Sequence, residues 1–168
     1  MSLGSTQIAV TVSSSHVKSL DLGDATFPIA LTQAVNLLNG TGAGQADVIF
    51  TDTRTLTASA TENLDFAGTL TDAYGATVTM ARLKALIVVA ATGNTNDVQI
   101  SRPAANGVPL FLAASDAIPV RPGGLFAWAC ADATAIVVTA GTGDLVTITN
   151  SAGTTSVTYT VIAIGASV

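Results

Sequence analysis

Short apolar and threonine-rich runs, separated by tight-turn signals, occupy the chain from Ala76 to its C-terminus. The runs are rich in Val, Ile, Thr and aromatic residues, which favour strands. The separators contain Asn-Gly, Pro-Gly-Gly and Gly-Thr-Gly, which supply the positive φ angles and preset turns that reversing strands need. This alternation predicts an all-β domain built as an antiparallel β-sandwich. The predicted strands cover residues 98–101, 108–112, 125–130, 135–140, 145–149 and 156–164.

The stretch from residue 77 to 91 changes its apolar face partway along. Val78 and Met80 share one face of an extended chain, whereas the apolar residues from Leu83 onward share the other. A β-bulge near Ala81 would produce this change, because one extra residue reverses the side of every residue after it. A helix is the alternative, but the β-branched run at 87–89 favours a strand.

The upstream part, residues 1–75, has a more mixed pattern. Residues 7–12 alternate like a strand. After Pro28, the residues Leu31, Val35 and Leu38 fall on one helical face, which predicts a short helix over 29–38. Residues 40–44 resemble a flexible glycine-rich connector, and 47–56 and 62–70 short strands or extended segments. We therefore expect an N-terminal arm or subdomain over 1–75, with at most one or two short helices, and a β-sandwich core over 76–168.

Composition indicates one main core and a surface unusually poor in charge. The chain has 168 residues, of which 49% are hydrophobic and only 10% charged, against roughly 25% charged in ordinary soluble domains. Such a surface must consist of Thr, Ser, Asn and Ala. Neutral surfaces of this kind are readily buried against other proteins, so the composition favours an assembly.

The charge balance argues against nucleic acid and the hydropathy pattern against a membrane. A net charge of −5 with six scattered basic residues gives no cluster to replace phosphate counterions. The apolar stretches around Lys84 and Asp132 are too short or too interrupted to span a bilayer. Residues 1–5 lack a basic start followed by an apolar run, so a secretory leader is not expected. The lone Cys130 is expected to be a buried thiol.

The residues that could carry chemistry all have simpler structural explanations. His16 follows three serines but has no nucleophile motif around it. The glycine-rich segment at 40–44 lacks the Lys-Ser/Thr pair of a phosphate loop. Aspartates are spread singly, without the close spacing of a calcium loop, and Trp128 is expected in the core. The sequence therefore predicts no enzyme, no catalytic residue, no cofactor and no metal site.

Three blocks of sequence carry a family resemblance. They are residues 40–56 (GTGAGQADVIFTDTRTL), residues 63–87 with LDFAG, DAYG and ARLKA, and residues 120–165 with VRPGG, TAGTGD and GTTSVTY. Together they resemble small virion structural proteins of tailed bacteriophages, of the head decoration or cement type. The charged residues of these blocks that we select as possible interface residues are Asp52, Arg54, Arg82 and Arg121.

This resemblance implies a jelly-roll-like subunit that forms a homo-oligomer, most often a trimer, and binds the major capsid protein. Such a subunit would be assembled in the host cytoplasm and would lie on the outer surface of the capsid, where an acidic protein does not face packaged DNA. Residues 1–24 would suit an arm that becomes ordered on docking. A tail, neck or fibre-associated protein that recognises a receptor is the alternative, since it would use the same β architecture.

Overall fold

The structure, a computed structural model, describes residues 3–168 and is built entirely from strands and loops, which confirms the all-β prediction. All strand pairs are antiparallel except β2 with β3. Residues 1 and 2 of the predicted arm lie outside the described part. The strands are β1 (Thr6–Leu20), β2 (Gly23–Asn39), β3 (Gln45–Ala46), β4 (Val48–Leu56), β5 (Thr61–Asp65), β6 (Arg82–Ala90), β7 (Val98–Ser101), β8 (Ala117–Val120), β9 (Leu125–Ala129), β10 (Ile136–Val137), β11 (Leu145–Asn150) and β12 (Val157–Ala166).

Two sheets enclose the main core. One has the order β10-β6-β12-β4, with β9 also paired to β6, and the other has the order β5-β11-β7-β8. Alternate residues of β12, including Tyr159 and Val161, are fully buried between the sheets. Phe66, Leu86 and Ile148 join them in one apolar cluster, whose removal from water is the principal stabilising contribution. The β-sandwich is thus present, while the jelly-roll connection stays a prediction.

A β-bulge lies at Lys84, downstream of the position that the sequence pattern indicates. Ile164 of β12 pairs with Ala85 and Gly165 pairs with Leu83, so Lys84 is the extra residue on β6. As a result Leu83 faces the main core with Leu86, whereas Ala85 faces the other side. The predicted common face for the apolar residues from Leu83 onward is therefore wrong. The prediction of a strand rather than a helix here is confirmed.

The helix predicted over residues 29–38 is wrong, because this segment forms the C-terminal half of the long strand β2. Strand β2 pairs with β1 from Leu37 opposite Thr6 to Gly23 opposite Leu20. Residues 27, 29, 31, 35 and 37 are all apolar, so the segment also has the period of a strand. Pairing of β2 with β1 at fifteen cross-strand positions therefore determines the strand conformation, in spite of the weak helical pattern.

Three further differences concern the C-terminal part. Of the strand predicted over 135–140, only β10 at Ile136–Val137 is present. Residues 108–112 form turns rather than a strand, with the Leu110 amide donating to the Val108 carbonyl at 2.7 Å across Pro109. The edge strand β8 at Ala117–Val120 has no counterpart among the predicted runs.

Strand pairing and core packing both cross residue 76. Strand β4 pairs with β12, and β5 pairs with β11. Phe50, Leu64 and Phe66 belong to the same cluster as the C-terminal strands. The division into two domains at residue 76 stays a prediction, but the sandwich includes residues from Val48 onward.

Candidate interaction surfaces

Strands β1 and β2 form a two-stranded ribbon that extends from the sandwich. Opposite residues of an antiparallel pair lie on the same face, so the register separates the ribbon into an apolar and a polar face. The apolar face carries Ile8 opposite Val35, Val10 opposite Gln33, Val12 opposite Leu31, Ser14 opposite Ile29 and His16 opposite Phe27. The polar face carries Gln7 opposite Asn36, Ala9 opposite Ala34, Thr11 opposite Thr32, Ser13 opposite Ala30 and Ser15 opposite Pro28.

The apolar face of the ribbon is uncovered over most of its length. Val12 is 45% exposed, Leu31 58% and Phe27 68%. Residues 10–20 at about 3.3 Å per residue give a strip about 35 Å long and about 10 Å wide. The strip covers roughly 350 Å². Gln33, Ser14, His16 and Lys18 are its polar members, and its large apolar side chains between the base and the tip are Val10, Val12, Phe27, Ile29 and Leu31. Exposed apolar patches of a few hundred Å² mark interaction sites. The charged residues of the ribbon, Lys18, Asp21 and Asp24, all lie near its tip, so the stem is neutral.

The base of this apolar face packs on the sandwich. Leu37 is 1% exposed and forms a second apolar cluster with Ala46, Ala85 and Ile164, against which Ile8 and Val35 also pack. Ala85 and Ile164 belong to the outer face of the five-stranded sheet, the side away from the main core. The ribbon therefore covers one end of this outer face with the same apolar strip that is exposed further along.

The rest of the outer face is without charge and is only partly covered, with Ile87, Thr160 and Ile162 half-buried. Cross-strand register places two rows on it: Leu125, Val89, Thr160 and Thr53 in one, and Ala127, Ile87, Ile162 and Thr51 in the next. Leu125 is 68% and Val89 40% exposed. The Thr53 and Thr160 hydroxyls hydrogen bond to each other at 2.9 Å, one as donor and the other as acceptor.

The four predicted interface residues do not form one site. Asp52 and Arg54 lie together on β4, with Arg54 NH1 donating to Asp52 Oδ2 at 2.8 Å, whereas Arg82 and Arg121 lie elsewhere. Arg54 Nε also donates to Glu62 of β5 at 2.7 Å. This ion pair joins the edges of the two sheets, so the Asp52–Arg54 pair has a structural role within the subunit.

The same edge contains a buried phenol. Tyr159 donates its hydroxyl to Glu62 Oε1 at 2.7 Å. Burial and then this hydrogen bond raise the pKa of Tyr159 well above its usual value. The hydrogen bond to Glu62 likewise raises the pKa of Arg54, against the opposing effect of desolvation. The Tyr159 phenol is thus held neutral and the Arg54 guanidinium charged, which suits a structural contact between the sheet edges rather than proton transfer.

The other two predicted interface residues are separate from this edge and from each other. Arg121 is 81% exposed along its side chain and pairs with Asp97 at 3.0 Å. Arg82 begins β6, and its NH1 donates to the Ala81 carbonyl at 3.1 Å. Exposed pairs such as Arg121 with Asp97 contribute little to stability.

Lys84, at the bulge, is fully buried and is held by backbone carbonyls. Its Nζ donates to the carbonyls of Gly42 at 3.4 Å and Ala133 at 3.2 Å, and also to that of Asp132. The Gly44 amide donates to the Ala131 carbonyl at 2.8 Å. The glycine-rich connector, predicted to be flexible, is therefore fixed to the sandwich at two points.

The Asp132 carboxylate orders the loop that supplies these carbonyls. It accepts hydrogen bonds from the amides of Thr134 at 2.8 Å and Ala135 at 2.9 Å. These two donors, Ala135 first, lower the pKa of the Asp132 carboxyl. Ala135 has a φ of 48°, a left-handed conformation that the loop imposes on a residue that rarely adopts it.

A groove of about 540 Å³ lies beside β4 and the 72–79 loop. The charged residues among those lining it are Asp47 and Asp72. Asp47 accepts from the Ser167 amide at 2.8 Å, and Asp72 from the amides of Tyr74 and Ala76, each at 2.9 Å. Both carboxylates therefore serve loop structure.

The remaining candidates for chemistry occupy ordinary structural positions. His16 is exposed on the ribbon, Trp128 packs against the main core, and Cys130 is half-buried, less than expected. Within residues 3–168, His, Cys, Asp and Glu side chains form no group of three suited to a metal ion. The same part of the chain contains no helix able to cross a membrane.

The ribbon was not predicted from the sequence as an interaction surface. The sequence signal for its apolar face was the alternation of large apolar residues at odd positions from 27 to 37, interrupted at Gln33, and at even positions from 8 to 12. Comparison of the chain with protein-family models, with curated proteins and with solved structures found no match.

Proposed function

We propose that this protein is a non-enzymatic structural subunit that acts by self-association and by binding another protein shell, as a decoration subunit on a phage head. The observation that supports the proposal best is the large neutral surface formed by the ribbon and the outer sheet face. Val12, Leu31, Phe27 and Leu125 are each at least 45% exposed on it. Covering exposed apolar surface with another protein is thermodynamically favourable, because it removes that surface from water.

The mechanism would be adhesive. A homo-oligomer, a trimer by the family resemblance, would lie across the seams between copies of the major capsid protein and add contacts that the filled shell must break before it opens. The net charge of −5 suits the outer side of a capsid better than the side that faces DNA.

Copy number on the purified particle tests this role. A decoration subunit occupies sites repeated over the whole shell, so gel densitometry should give a copy number comparable to that of the major capsid protein. Stripping the protein should also lower the temperature at which particles release DNA. A few copies per particle, or unchanged release after stripping, would instead favour a tail, neck or fibre protein.

A further inference from the structure

We propose that the apolar face of the ribbon of one subunit covers the outer sheet face of a second copy of this chain. The inference rests on the self-association part of the proposed function and is independent of where on a particle the protein lies. It assigns two uncovered surfaces of the same molecule to each other.

The base of the ribbon shows that these two surfaces fit. There Ile8, Val35 and Leu37 pack on Ala85 and Ile164 of the outer face. The uncovered strip continues directly from these residues along both strands of the ribbon, with Val10 and Val12 on β1 and Leu31, Ile29 and Phe27 on β2. Similarly, the outer face of the sheet continues directly from Ala85 and Ile164, through the half-buried Ile87 and Ile162, to the exposed Val89 and the half-buried Thr160.

The occupant is a second copy because the subunit does not cover its own sheet face. Every ribbon residue from 9 to 33 is exposed, so the stem extends away from the sandwich. Each copy contributes one ribbon and one open sheet face. In an assembly of identical copies, the ribbon of each subunit can therefore cover the sheet face of one neighbour while its own sheet face is covered by the ribbon of another.

Charge placement agrees with this arrangement. The stem between the base and Lys18 carries no Asp, Glu, Lys or Arg side chain, and the two rows of the sheet consist of Ala, Val, Leu, Ile and Thr. Covering them desolvates no carboxylate, lysine or arginine, and burial of unpaired charge is what makes an interface costly. Lys18, Asp21 and Asp24 would remain in solvent at the tip.

Contact between unlike surfaces is heterologous, so it closes into a ring if the rotation per subunit allows it. A three-membered ring would agree with the trimer expected from the family resemblance. Each subunit would then extend its ribbon over the next one around the ring.

Disulfide cross-linking of mixed variants tests the pairing directly. In a Cys130→Ser background, Leu31→Cys places a thiol on the ribbon's apolar face and Val89→Cys places one on the sheet face. We expect a covalent dimer under mild oxidation when the two proteins are mixed, and none from either alone. Thr32→Cys, on the polar face, is the matched control and should not link to Val89→Cys. The flanking positions Val12→Cys and Leu125→Cys extend the scan by one step on each surface.

Two results would overturn the inference. One is cross-linking of Leu31→Cys to itself, which would mean that ribbons pair with ribbons. The other is linkage between the ribbon and sheet positions no stronger than that of the Thr32→Cys control across the scan.

Charge substitutions in the full chain give a second, independent readout. Leu31→Asp and Val89→Asp each place a carboxylate in the proposed contact and should convert the oligomer to a monomer in light scattering coupled to size exclusion. Thr32→Asp should leave the mass unchanged, and circular dichroism should show the same β spectrum for all three. An oligomer that persists in Leu31→Asp would overturn the inference.

The outcomes separate this inference from the proposed function. An oligomer that is insensitive to Leu31→Asp or to Val89→Asp refutes the ribbon-to-sheet contact and leaves a decoration role intact. A wild-type protein that is monomeric at micromolar concentration refutes the contact together with self-association in solution. Copy number on the particle, measured separately, decides the decoration role in either case.

Discussion

The buried Tyr159 hydroxyl offers a sharp test of how the two sheets are held together. Tyr159 is fully buried, and its hydroxyl is 2.7 Å from Glu62 Oε1. Glu62 in turn accepts from Arg54 at 2.7 Å. Replacing Tyr159→Phe keeps the ring in the core and removes only the hydroxyl. The change therefore isolates one hydrogen bond to a carboxylate at the joined sheet edges.

The expected loss of unfolding free energy is about 2 kcal/mol. Hydrogen bonds to charged groups contribute about 1.5–3 kcal/mol. The Glu62 side chain is 19% exposed, so water can partly replace the missing donor, which places the loss in the lower half of that range. For a domain of this size, 2 kcal/mol lowers the Tm by about 6 °C.

The same hydroxyl should make stability depend on alkaline pH. In the folded state the pKa of Tyr159 is raised, chiefly by burial, whereas in the unfolded chain it is about 10. The neutral phenol therefore contributes its full stabilisation below pH ~10. As the pH rises further, the unfolded state loses a proton that the folded state keeps, and stability falls by up to about 1.4 kcal/mol per pH unit.

Tyr74 provides the matched control, since the chain has two tyrosines and Tyr74 is 82% exposed. Tyr74→Phe should change the Tm by less than about 1 °C, because exposed substitutions are nearly neutral. In that variant all tyrosinate absorbance comes from Tyr159, and it should appear together with the loss of β signal in circular dichroism. Tyrosinate appearing while the protein is still folded, or equal alkaline slopes for Tyr159→Phe and wild type, would refute the reasoning.

Two other substitutions test the interior. Asn150 is 2% exposed and donates to three backbone carbonyls, so Asn150→Ala should lower the free energy of unfolding by about 3 kcal/mol in chemical denaturation. Asn36→Ala removes an exposed side-chain hydrogen bond and should cost under about 0.5 kcal/mol. Similar losses for the two variants would contradict the burial of the Asn150 network. Gly165→Ala would place a methyl group against the Arg82 carbonyl oxygen and 2.7 Å from the Met80 sulfur, and it should cost about 1–3 kcal/mol through overpacking. Gly93→Ala is the control, because a Cβ at Gly93 meets nothing within 4 Å. A wild-type Tm for Gly165→Ala would contradict this steric argument.

The fold class was predictable from the sequence because the turn residues and the strand period agree after residue 76. Runs at 98–101, 125–130 and 145–149 correspond to strands β7, β9 and β11. A bulge in this region was predicted near Ala81, but the reason for it was wrong, because Met80 and Leu83 both belong to the main core cluster and the extra residue is Lys84. Its position at Lys84 depended on cross-strand register with Ile164 and Gly165, which no local pattern contains.

The interaction surfaces were not predictable, for two physical reasons. In residues 29–38 the apolar positions fit both a helical and a strand period, and only pairing with β1 decides between them. The outer sheet face combines residues from β9, β6, β12 and β4, which the fold brings together from distant parts of the chain. Arg54 was selected from the sequence as a possible interface residue because it is charged, yet its partner Glu62 lies within the same subunit.

In the proposed oligomer, the ribbon would connect stability with assembly. An isolated two-stranded hairpin is at best marginally stable in water, and here only the base gains a packed partner, through Leu37 and its cluster. Nine of the sixteen exposed large hydrophobic residues in the described chain belong to the ribbon and its turn. Covering the stem would therefore both remove the principal exposed apolar surface and stabilise the strand pairing beneath it. A subunit with this design is expected to gain order in its ribbon as it assembles, so hydrogen exchange in residues 9–33 should slow on assembly more than exchange in the sandwich.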